Sequence, residues 1–91
     1  MYYVYILECR GSGSKMSLYT GYTNSVARRF AEHSTGRGAR YTKGKALKIV
    51  FIQSFLTQID AMRRERDIKR LPRRKKIALI SNGFVNEQKI G

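Results

Sequence analysis

Five residues have the types and the order that phosphoryl chemistry needs: Tyr5, Tyr19, Arg29, His33 and Glu65. An arginine offers paired donors to a phosphate and can stabilise charge that develops on it. A single carboxylate such as Glu65 can hold Mg²⁺ or Mn²⁺ when waters and a substrate phosphate complete the shell. A phenol can take a proton if neighbouring cations or a metal favour its phenolate. These groups sit on a chain of formal charge +13, and together they point to phosphodiester chemistry.

Each residue also has a plainer reading. Arg29 suits a solvated helix face, and a lone helical histidine such as His33 is more often structural or exposed than catalytic. The six tyrosines suit core or sheet positions with a polar tip at the rim. On a helical wheel Glu65 falls between Ala61 and Met62, inside an apolar arc that includes Ile68. A carboxylate there is expensive unless it is paired or holds a metal. Its alternative partners are an arginine or Lys69, four residues on.

The elements that must position these groups can be read from the pattern. Tyr2 to Cys9 is aromatic and β-branched without a breaker, so it predicts a strand apolar on both faces and central in its sheet. Tyr3, Tyr5 and Leu7 share one face of it; Tyr2, Val4 and Ile6 share the other. Gly11 to Lys15 predicts a turn, and Ser17 to Thr20 the returning strand, ended by Gly21. Glycine at that point permits close approach of another group. Thr23 or Asn24 can cap a helix to about His33, with Val26, Ala27, Phe30 and Ala31 as its apolar stripe. Ala46 to Phe55 predicts a third strand, Gln58 to Leu71 a helix, and Pro72 to Ser81 another. The order β-β-α-β-α-α implies an α+β fold, a three-stranded antiparallel sheet flanked by helices. Residues 1–83 are expected to form one domain and 84–91 a tail.

Composition narrows the partners. Nineteen Lys and Arg against six Asp and Glu attract polyanions, of which nucleic acid is the commonest for a small basic protein. DNA is the expected partner, with RNA the alternative. The loop from Ser34 to Lys45 places Arg37, Arg40, Tyr41, Lys43 and Lys45 among three glycines, which suits contact with phosphates; its plainer reading is a soluble, mobile loop. Arg63 and Arg73 open and continue a further basic track. The basic residues are spread along the chain, unlike a membrane-surface helix, and no apolar run approaches bilayer length. One cysteine and one histidine leave little room for a zinc site, and the lone Cys9 fits a reducing cytoplasm. No obligate protein partner is evident, and a monomer or weak dimer is expected.

In order and spacing these residues resemble the GIY-YIG nucleases, specifically the small stand-alone subfamily, over nearly the whole chain. Tyr3-Val4-Tyr5 stands where the first motif lies and Tyr19-Thr20-Gly21 where the second lies. Arg29 and His33 take the helical positions, Tyr41 and its basic loop match the subfamily pattern, and Glu65 matches the metal-binding glutamate. The resemblance implies metal-dependent hydrolysis of DNA, selective for structure more than sequence, with a place in DNA repair or recombination. It assigns Tyr19 as general base assisted by Tyr5, and Arg29 to the transition state. Glu65 would hold Mg²⁺ or Mn²⁺, while His33 and Tyr41 would position water or phosphate. There are departures: Tyr3 replaces the first glycine, Thr20 replaces isoleucine, and neither Asn82 nor Asn86 aligns cleanly with a late asparagine that many members carry. The rival reading is a module on the same fold that binds nucleic acid without cutting it. A basic assembly factor associated with the ribosome is a further one.

Overall fold

A computed structural model describes residues 1–13 and 15–82. The expected tail and Asn86 lie outside the described residues. Strands β1 (Tyr2–Arg10) and β2 (Met16–Thr23) form a hairpin. Helix α1 (Val26–Ser34) follows, then a loop with one 3₁₀ turn at Arg40–Thr42, strand β3 (Ala46–Phe55), and helices α2 (Gln58–Lys69) and α3 (Arg73–Ser81). The sheet is antiparallel in the order β2-β1-β3, so the strand with two apolar faces is the central one. Among the described residues no helix is long and apolar enough to cross a membrane.

Each face of β1 has its own core. Val4 and Ile6 pack with Phe51 of β3 and with Ala61 and Ile68 of α2, and Leu79 and Ile80 of α3 join them. Ala61 and Ile68 lie two helical turns apart, so one stripe of an otherwise charged helix carries the docking. On the opposite face Tyr5, Leu7 and Cys9 pack with Phe30, Ile49 and Ile52. The β1–β3 pairing shifts at Ile6/Leu7: Phe51 faces Ile6, whereas Ile49 faces Leu7. That bulge gives β3 one extra residue, Val50, and lets the unbroken apolar run Ile49–Ile52 serve both faces.

Local expectations need four corrections. Strand β2 runs through Gly21 to Thr23, because Gly21 pairs with Tyr5 and Thr23 with Tyr3. The cap of α1 is Ser25, whose hydroxyl accepts from the Arg28 backbone N–H at 3.3 Å; Thr23 instead accepts from the Ser25 N–H at 3.1 Å. The stripe of α1 is also different: Ala27 and Ala31 are exposed, Val26 and Phe30 half-buried, and the one buried residue is His33. Pro72 occupies the cap position before α3, where its carbonyl accepts from Lys75 at 2.9 Å. Helix α2 begins as its sequence implies, with the Thr57 hydroxyl accepting from the Asp60 N–H at 3.2 Å.

Candidate active site

An open cleft of about 470 Å³ lies among β1, β2, α1 and α2. Tyr5, Tyr19, Arg29 and Glu65 all line it, one from each of those elements. Four of the five residues singled out for chemistry are thus brought to one place from distant points in the chain.

Tyr5 enters from the central strand. Its hydroxyl lies 3.0 Å from His33 Nε2, and Gly21 on the neighbouring strand leaves room for it. A Cβ at Gly21 would strike the Tyr5 hydroxyl, so glycine is required there by close approach. Burial pushes the Tyr5 phenol up to about 12; Tyr19 raises it further and the Arg29 guanidinium pulls the other way. Tyr5 is therefore a neutral phenol at neutral pH.

His33 stands behind Tyr5 and is 1% exposed. Its Nδ1 lies 2.8 Å from Thr42 Oγ1, and Thr42 donates to the Ala39 carbonyl at 2.9 Å. The Ala39 N–H also donates to Nδ1 at 3.4 Å, which needs a bare Nδ1, whereas donation from Nδ1–H to Thr42 needs a protonated one. In the first tautomer Nε2–H donates to the Tyr5 oxygen; in the second the Tyr5 O–H donates to Nε2. Both keep the imidazole neutral, and burial, with Arg29 adding to it, pushes the His33 pKa down accordingly. Both ring nitrogens are engaged, so His33 has none left for a water or a phosphate while these bonds stand. The ring is buried and contacts Tyr5 and Thr42. Gly38 packs directly on the ring, where a Cβ would collide with it.

Arg29 Nη1 holds Glu32 Oε1 at 2.8 Å, and Arg28 reaches the same carboxylate at 3.8 Å. Arg29 keeps Glu32 below the usual carboxylate range, and Glu32 in turn raises Arg29. Glu65 has a side chain 19% exposed and an ion pair with Lys69 Nζ at 3.3 Å. The pair read from the four-residue spacing exists, and the same carboxylate also faces the cleft. Among the described residues no three His, Cys, Asp or Glu side chains cluster as a ready-made metal cage. Glu65 is a hard oxygen donor on an open wall, which suits a divalent ion that keeps most of its waters. An ammonium already neutralises it there.

The basic residues are placed variously. Tyr41 stacks near Tyr19, with ring centroids 6.0 Å apart and planes at 21°, and Lys45 Nζ lies 3.7 Å from the Tyr41 centroid. Arg37, Arg40 and Lys43 are exposed on the same loop. Arg63 lines a separate hollow with Ile59, Met62 and Arg66, which Glu65 also borders. Arg73 donates to the Met16 carbonyl at 3.0 Å and so ties α3 to the start of β2. Asn82 stands at the end of α3.

Glu32, Gly38 and Thr42 were missed by the sequence reading. Glu32 could have been found from its spacing, three residues after Arg29 on one helix. Gly38 and Thr42 carry no such signal, because their contact with His33 is made by the path of the loop.

Several known proteins resemble this chain along most of its length. A family model described as the GIY-YIG catalytic domain matches residues 1–78. A UPF0213 protein of Oceanobacillus iheyensis is 45% identical over 80 residues, covering 87% of this chain and 88% of that one. A UPF0213 protein of Haloquadratum walsbyi is 46% identical over 83 residues, covering 90% and 89%. The solution NMR structure of a UPF0213 protein from Bacillus halodurans superposes with a TM-score of 0.56 at 42% identity, covering 97% of this chain and 92% of that one.

Proposed function

The chain belongs to the GIY-YIG family, and from that premise we propose that it is a metal-dependent endonuclease that hydrolyses DNA phosphodiester bonds. The observation that carries the reading is the convergence of Tyr5, Tyr19, Arg29 and Glu65 on one open cleft. A phosphate entering it meets the Arg29 guanidinium, whose paired donors suit the charge of a pentacovalent phosphorus. Glu32 holds that guanidinium in place at 2.8 Å.

Tyr19 is the general base, and it must enter the step as a phenolate to accept the proton of the attacking water. Tyr5 remains protonated and bonds to His33, which bonds in turn to Thr42. Its part is to fix the geometry of the tyrosine pair, whose ring centroids are 6.5 Å apart, and His33 is a positioning residue acting through it. Glu65 is the residue to hold Mg²⁺ or Mn²⁺, which when bound supplies Lewis-acid stabilisation of the leaving 3′ oxygen. Phosphate-backbone contacts come from the exposed Arg37, Arg40 and Lys43, with Lys45, Arg63 and Arg73 adding to the positive field. Such binding is sequence-tolerant and strongly salt-dependent. The reading places the protein beside DNA in the cytoplasm, at work on structures that arise in repair or recombination.

The test is cleavage of labelled duplex, single-strand, flap and four-way-junction substrates, in DNA and RNA, with Mg²⁺, Mn²⁺ or EDTA. Arg29→Ala and Glu65→Ala should each lose at least about 100-fold in rate, the loss expected when one charged transition-state contact is removed, while remaining folded and able to bind. Tight binding without cutting in any metal would replace the nuclease by a non-catalytic binding module. Faster cutting of the RNA panel would move the substrate class.

A further inference from the structure

A second cleft of about 310 Å³ lies beside the first, and Tyr19 is the wall they share. Leu18, Tyr19, Thr20, Tyr41, Lys69 and Lys76 line it. Its chemistry is two aromatic rings and two ammonium groups, with no carboxylate in the lining. Tyr41 is 44% exposed, although a ring of its size gains by burial. The loop holds it outward: Thr42, the next residue, is fully buried and bonded to both His33 and Ala39. Lys76 has no ion-pair partner among the described residues. Lys69 joins the clefts, since it lines the second while its Nζ pairs with Glu65 in the first.

We propose that this second cleft binds the nucleotide next to the scissile phosphate, with its base against Tyr41 and its phosphate between Lys69 and Lys76. The proposal rests on the nuclease reading, since it takes the first cleft as the phosphodiester site. A strand crossing Tyr19 leaves one cleft and enters the other. Lys45, now over the Tyr41 ring, is a flexible side chain that turns toward the phosphate as the base arrives. The aromatic wall does not distinguish bases, because every base offers a π face. It does distinguish structures. A base inside a duplex has both faces covered by its neighbours, so Tyr41 takes only a base that has left the stack. Selectivity for flaps or unpaired strands then follows from a single residue.

The experiment measures binding without metal, in EDTA, by fluorescence anisotropy. The probes are a short labelled oligothymidylate and a labelled blunt DNA duplex, titrated over a series of salt concentrations. Tyr41→Ala should weaken oligothymidylate binding about 5- to 150-fold, the range for ~1–3 kcal/mol per stacked base, and duplex binding less than about twofold. Tyr41→Phe should retain the wild-type preference, which separates stacking from misfolding. Lys76→Ala should reduce the slope of log K against log salt for the single strand by about 0.7, the contribution of one phosphate contact. Equal losses on both probes for Tyr41→Ala, or no loss on either, would overturn the proposal. The nuclease reading fails separately. Metal-dependent cutting that needs Arg29, beside binding indifferent to Tyr41, would remove the second cleft alone; the expected binding pattern without any cutting would remove the nuclease alone.

Discussion

On one face of the sheet Val4, Ile6 and Phe51 meet Ala61 and Ile68, a contact made of hydrocarbon. On the other, Tyr5, Leu7 and Cys9 meet Phe30, and beyond Tyr5 the packing closes over His33 and Thr42. Hydrocarbon contacts are non-directional, and their contribution follows the area removed from water. A buried hydrogen-bond relay contributes less net stability, but every member must be partnered. The first face holds α2 and α3 to the sheet. The second fixes the direction of a phenol at the edge of the cleft. Both faces carry an apolar core, and the second adds to its core a polar relay that aims a side chain.

The largest way to break this contrast is Phe51→Ala. It should cost about 3–5 kcal/mol of unfolding free energy, a large-to-small change in a closed core, read by urea denaturation. Any cleavage by the remaining folded molecules should keep its metal and pH dependence. If those dependences change instead, the faces are not separate. Gly38→Ala is the corresponding change on the polar face. Its methyl group must displace the His33 ring, and overpacking of that kind costs about 1–3 kcal/mol. The loss of cleavage should exceed what the unfolded fraction explains.

A gentler probe is pH. The His33 pKa is depressed in the folded protein below its ordinary 6.5. Below about pH 6.5 the unfolded chain therefore binds the proton more readily, and stability is lost as pH falls toward the folded value. Wild-type melting temperature should drop between about pH 6.5 and 5, ahead of most carboxylate titration. His33→Asn should start less stable and show a flatter profile in that window. Arg29 and Glu32, the charged neighbours that act on His33 in opposite senses, remain in both proteins. The smallest effect on stability is expected from Lys69→Met. The Lys69 side chain is 54% exposed, and a pair of this kind is worth about 0–1 kcal/mol. Its metal response should be larger: with the competing ammonium gone, half-maximal cleavage should need less Mg²⁺. An unchanged Mg²⁺ requirement would mean that Lys69 does not compete at Glu65.

The hydrocarbon face was the more legible in the sequence. Tyr2 to Cys9 announced a central strand because apolar residues stood at both parities, and the apolar arc of α2 held Ala61 and Ile68, which dock, but also Met62, which is exposed. The bulge was hidden, since an unbroken run such as Ile49–Ile52 has no period to read. On the polar face periodicity misled. It selected Ala27 and Ala31 as inward residues because they are apolar, whereas His33 is the one α1 buries. A buried histidine is stable only with partners, and these are Tyr5, 28 positions before it, and Thr42, 9 after it.

What the sequence determined by itself was local: the strand and helix segments, their order, the overall charge, and the Glu65–Lys69 and Arg29–Glu32 spacings, all consequences of backbone period and side-chain type. Only the tertiary structure decided that Tyr5, Tyr19, Arg29 and Glu65 share a cleft, that Gly21 and Gly38 must lack a side chain, and that Tyr41 faces outward beside two lysines. Those facts depend on which surfaces meet when hydrophobic burial closes the chain, and that closure sets distances between residues that no spacing along the sequence records.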